Sequence, residues 1–178
     1  TAEAAEIYAA LTSEPDEASV AAPAIVAGDV TRTVQIVNPH GLRIALVESA
    51  SAARRPFTPW EGGPVPVERQ IRGLDGARLW LRDLAPTEAL LAAPMGLTRL
   101  GEEGGWIRWG VPGRGSNDGA PSGTRLELAH RPETQRGMWG TGAVHHLAWR
   151  VDDETHELAL RAAVAESGPH PTPVIDRF

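Results

Sequence analysis

The chain has 178 residues, no cysteine and a formal net charge of −6, with a pI near 5.5. Disulfides and thiolate metal sites are therefore excluded, and a bound metal must take His, Asp or Glu. Scattered arginines on an acidic chain argue against nucleic acid as a partner, and no apolar run approaches the ~18 residues of a membrane span.

No signal peptide is visible, so a soluble cytoplasmic protein is the expectation. The length suits one domain or two small ones, and a chain this size buries roughly 70% of its unfolded surface.

Residues 1–13 are Ala-rich, and Ala4, Ile7, Tyr8 and Leu11 share one helical stripe, which predicts a surface helix. Val30 to Val37 alternates in strand fashion. Asn38-Pro39-His40-Gly41 predicts a turn, because Pro fixes φ and Gly tolerates positive φ. Leu42 to Glu48 returns as a strand, completing a β-hairpin. His40 at the turn tip and Glu48 at the strand end read as surface groups. Residues 51–67 are a linker by composition, rich in Pro and Gly without periodicity. Phe57 and Trp60 are expected to pin it against the body.

Residues 68–135 read as one complete unit. Ile71 to Arg82 predicts a strand. Pro86 to Met95 predicts a short helix, with Pro in its first turn and Gly96 at its end. Leu97–Gly101, Trp106–Val111 and Gly123–Ala129 predict three more strands. The order is βαβββ. The Gly-rich stretch Gly113–Gly123 has no following G-K-[ST] and no helix after it, so it reads as a hairpin connection rather than a phosphate loop.

A third unit opens near residue 140. Val144 to Val151 alternates, with His145, Leu147, Trp149 and Val151 on one side and His146, Ala148 and Arg150 on the other. A strand is predicted there. Leu147, Trp149 and Val151 can pack on a helix, which leaves His146 on the opposite face beside small Ala148. Such a position suits a metal or substrate, although a strand histidine is commonly structural. Asp152 or Asp153 can cap the helix that follows, Leu160, Ala163 and Val164 line its inner face, and Ser167-Gly168-Pro169 stops it. His156 and His170 read as surface residues. Pro173 to Phe178 predicts the start of another strand.

Two motifs here are similar to those of a known family. Gly142-Ala143-Val144-His145-His146-Leu147-Ala148-Trp149-Arg150-Val151-Asp152-Asp153, followed by Thr172-Pro173-Val174-Ile175-Asp176-Arg177, resembles the last part of ring-cleaving dioxygenases of the vicinal oxygen chelate superfamily. The hydroquinone-cleaving branch carries G-x-V-H-H-I-A-F-R-V-x-D and then T-x-V-x-D-R. The resemblance covers most of the chain and is strongest from about residue 140 onward.

The resemblance implies an α+β fold of repeated βαβββ modules, with cupped mixed sheets and helices on the convex side. Residues 1–50 would then be the end of one module, 51–67 a linker, 68–135 a whole module and 140–178 the start of a further, metal-binding one. It also implies an Fe(II)-dependent ring-cleaving dioxygenase active in aromatic compound degradation, with Mn(II) or another divalent ion as alternatives. The substrates would be a dihydroxyaromatic compound and O₂. A homo-oligomer stays open.

In such enzymes two histidines and one carboxylate hold the iron and leave positions open for substrate and O₂. His146 matches the second histidine of V-H-H and is the expected metal ligand. His145 matches a neighbour that touches substrate or relays a proton, and Arg177 matches an arginine that steadies an anionic substrate.

The other ligand positions are not filled. The hairpin resembles D-P-x-G-L-x-L-E-L-V-E, whose strand glutamate binds metal in catalytic modules, but the matching residue is Ala45. Aligning Leu74–Asp83 under Val144–Asp153 puts Asp75 under His145 and Gly76 under His146. Glu127 and His130 belong to that same module, which lacks a histidine partner. The chain therefore resembles an internal fragment of a four-module protein, with no complete metal site of its own. A glyoxalase-type metal-dependent lyase or isomerase, and a metal-free antibiotic-binding protein of the same fold, are the alternatives.

Overall fold

In a computed structural model, the residues described are 30–49, 52, 55–111 and 125–175. The predicted N-terminal helix, the whole of the Gly-rich connection and residues 176–178 lie outside them. The fold is mixed α+β. Two compact units are distinguished. Of the described residues, one contains 30–49, 52, 55–75 and 135–145, and the other contains 76–111, 125–134 and 146–175.

The first unit is built on the hairpin β1 (Val30–Val37) and β2 (Arg43–Ser49), paired antiparallel with Val34 opposite Leu46 and Gln35 opposite Ala45. Asn38 makes the turn. Its Oδ1 accepts from the backbone N–H of His40 at 3.0 Å and of Leu42 at 2.9 Å, and Gly41 takes φ +88°. The side chain thus replaces ladder bonds where the chain reverses.

The linker is held by specific bonds. Arg55 pairs with Asp75 at 2.9 Å. Gln70 accepts from the Trp60 N–H and donates to the Trp60 and Val65 carbonyls, each at 2.9 Å. The Arg72 guanidinium lies 4.1 Å from the Phe57 ring centre. Phe57 is packed as expected, but Trp60 remains 68% exposed. Its backbone, not its ring, is the anchor.

The second unit holds β3 (Gly76–Leu81), α1 (Ala85–Ala92), β4 (Thr98–Glu103), β5 (Trp106–Gly110), β6 (Arg125–His130) and α2 (Glu154–Glu166). Residues 76–130 therefore form β-α-β-β-β, with sheet order β3-β6-β5-β4. β3 runs parallel to β6, while β4, β5 and β6 pair antiparallel. The predicted strand at Ile71 starts late. Ile71 and Leu74 are 70% and 65% exposed and carry no ladder.

Strand alternation makes the core. Leu126 and Leu128 of β6 stand in register with Ala77 and Leu79 of β3 and with Trp109 and Ile107 of β5. Leu91 of α1 and Leu97 close over this face, and Leu128 is fully buried. α1 begins where Asp83 Oδ1 accepts from the Ala85 N–H at 3.1 Å. It ends at Gly96, whose φ of +64° brings the Leu97 N–H onto the Leu91 carbonyl. β4 is the exposed edge. A bulge at Leu100 and the charged residues Arg99, Glu102 and Glu103 blunt it.

α2 is capped by Asp153, whose Oδ1 accepts from the His156 N–H at 2.8 Å. Leu160, Ala163 and Val164 are half-buried, as the spacing predicts. Arg161 of α2 donates to the carbonyls of Thr172 at 2.8 Å and Pro171 at 3.3 Å, which ties the following segment to the helix.

The main departure is at residues 144–151. They form no strand. A strand exists only as part of a ladder, and in a βαβββ unit the first strand pairs with the fourth, as β3 does with β6. The described residues supply no such fourth strand to 144–151. Likewise 173–175 carry no strand.

Candidate functional site

The histidine pair is delivered by a glycine-shaped turn. Gly140 and Gly142 have φ of +158° and +84°, and the Ala143 N–H donates to the Gly140 carbonyl at 3.1 Å. Gly142 also presses on the hairpin turn. A Cβ placed there would lie 1.9 Å from the His40 carbonyl oxygen. Only glycine suits both the conformation and the close approach.

His145 follows three residues later. It is exposed, and its ring packs against that of Trp139, with centres 4.7 Å apart and planes at 53°. His146 is exposed and belongs to the second unit. Leu147 packs on the core of that unit. Leu147 and Val151 are half-buried, but His145 and Trp149, predicted on the same side, are exposed like His146, so the two-residue alternation does not carry through the segment. Trp149 is 42% exposed, so the apolar side of the segment is covered only in part. Arg177 lies outside the described residues.

Asp75 and Gly76, which align under His145 and His146, are each engaged by a neighbour. Asp75 is occupied by Arg55. At Gly76, a Cβ would lie 2.5 Å from the Arg125 carbonyl oxygen, so no side chain fits opposite β6. Ala45 is exposed on β2 and offers no ligand atom. His130 Nε2 sits 3.1 Å from the Arg82 carbonyl oxygen. His156 pairs with Asp152 in the first turn of α2, at 3.4 Å. Among the described residues, no three His, Asp or Glu side chains converge as a metal site. They do not by themselves fit an iron ion.

A charged cluster was not foreseen. Glu127, only 4% exposed, accepts from Arg78 Nε at 2.6 Å and faces Arg108 Nε at 3.6 Å. Arg78 also lies over the Trp106 ring, 4.7 Å from its centre. The signal was available in the strand alternation. Leu126-Glu127-Leu128 and Ile107-Arg108-Trp109 each set a charge between two core residues.

MhqO of Bacillus subtilis, a provisionally named ring-cleaving dioxygenase, is 35% identical over 144 residues, 81% of this chain and 43% of MhqO. The chain is similar to ring-cleaving dioxygenases. MhqA and MhqE of the same organism, named in the same way, are each 28% identical, over 64% and 76% of this chain and 36% and 41% of their own. A crystal structure from Bacillus subtilis, titled as that of a dioxygenase on the same provisional footing, superposes with a TM-score of 0.69 at 33% identity. The match covers 82% of this chain and 44% of that one. The chain spans less than half the length of the relatives it matches. No family model matches it. Among the described residues, no helix is long and apolar enough to cross a membrane.

Proposed function

We propose that this chain forms part of a non-haem Fe(II)-dependent ring-cleaving dioxygenase that acts on a dihydroxyaromatic substrate with O₂. The observation that carries the reading is the similarity to ring-cleaving dioxygenases over 81% of the chain. The exposed pair His145-His146 on a glycine-shaped turn supports it. The βαβββ order of residues 76–130 supports a repeated-module architecture.

In this reading His146 offers one imidazole nitrogen to the metal. His145, whose ring lies against that of Trp139, has the role of holding or passing a proton of a substrate hydroxyl. Arg177 pairs with the anionic ring oxygen. The other two metal ligands come from outside the described residues, and ring cleavage depends on them.

The test is iron retention in the intact protein after anaerobic loading and desalting. His146→Ala should lose the iron and hydroquinone-dependent O₂ uptake together. His145→Ala should keep the iron and lose rate. Equal iron loss in both variants would count against the assignment, and absence of iron from the wild type would count against the whole reading.

A further inference from the structure

The sheet of the second unit carries a row of charges that the proposed iron chemistry does not use. Arg78 on β3, Glu127 on β6, Arg108 on β5 and Gly101 on β4 are direct cross-strand partners, one per strand. The row reads positive, negative, positive, empty. Opposite charges placed directly across strands attract, which explains the first three positions. The fourth has no side chain, and a Cβ at Gly101 would meet nothing within 4 Å.

Glu127 serves the two guanidinium groups unequally. Arg78 takes Glu127 Oε2 at 2.6 Å. Arg108 Nε forms an ion pair with Oε1 at 3.6 Å, beyond hydrogen-bond range. Oε1 is itself buried without a hydrogen-bond partner, while among the described residues Arg108 Nη2 has no facing carboxylate oxygen in an ion pair. The Arg108 side chain is 10% exposed, and its Nε and Nη2 are buried with no hydrogen-bond partner. A buried charged donor without an acceptor is costly, so native proteins arrange one. The nearest acid on β4 along the same face, Glu103, is exposed and registers with Trp106 rather than with Arg108.

We propose that Arg108 and Gly101 form a binding site for a small carboxylate anion, which enters over Gly101 and completes the row. A carboxylate suits it because its two oxygens match the planar guanidinium fork. One negative charge also balances the surplus positive charge of Arg78, Glu127 and Arg108. The site needs no metal and is independent of the histidine pair.

The experiment titrates the protein with sodium benzoate by calorimetry, against sodium chloride at equal ionic strength. Saturable heat and a higher melting midpoint are expected with benzoate only. Arg108→Gln should weaken binding by ~10-fold or more, because a charge-assisted contact is lost. Glu127→Gln should bind more tightly, because it removes the competing carboxylate. General damage to the fold would have the opposite effect. Both variants are first checked for a cooperative melt, and if either fails it the wild-type titration decides. Benzoate indistinguishable from chloride on the wild type overturns the proposal. So does weaker benzoate binding by a natively folded Glu127→Gln protein.

Discussion

Gly142 ties the turn that presents the histidine pair to the hairpin turn at His40, and Gly142→Ala measures that tie. Its φ of +84° costs an L-residue about 1–2 kcal/mol. The new Cβ would stand 1.9 Å from the His40 carbonyl oxygen and 2.7 Å from its carbon. An ordinary C···O approach is about 3.3 Å, so the two turns must part by more than an ångström. Lost packing there adds on the order of 1–2 kcal/mol, as overpacking does elsewhere. The total is about 2–4 kcal/mol, read from urea unfolding followed by tryptophan fluorescence. Gly137→Ala is the control. A Cβ there meets nothing within 4 Å, and its φ is not positive, so it should stay within ~0.5 kcal/mol of wild type. Two variants of equal stability would refute the contact between the turns.

Leu128→Ala empties the one large, fully buried side chain among the described residues and should cost about 3–5 kcal/mol in the same unfolding assay. Asp153→Ala removes the cap from the His156 N–H and should cost about 1 kcal/mol, with lower helicity by circular dichroism. Gly76→Ala drives a Cβ to 2.5 Å from the Arg125 carbonyl. It should lower the melting midpoint by several degrees and speed exchange of the β3 and β6 amides. Unchanged exchange would mean that the β3–β6 register differs from the one described.

The sequence by itself determined the parts governed by near neighbours. Alternation located the hairpin and β4 to β6 to within a few residues. Pro86 and Gly96 bracketed α1, and Asp153 and Ser167 bracketed α2, because capping and turn chemistry act within one helical turn. Motif resemblance also singled out His145 and His146.

Only the tertiary structure decided whether alternation became a strand. Residues 76–81 and 144–151 have similar patterns, yet the first pairs with β6 and the second has no ladder, since a strand depends on its partner. The same dependence hid the row Arg78-Glu127-Arg108-Gly101. Its members are up to 49 residues apart in sequence, and only the pairing register sets them side by side. It likewise took the packing of Gly142 on His40 to show why a glycine stands just before the histidine pair.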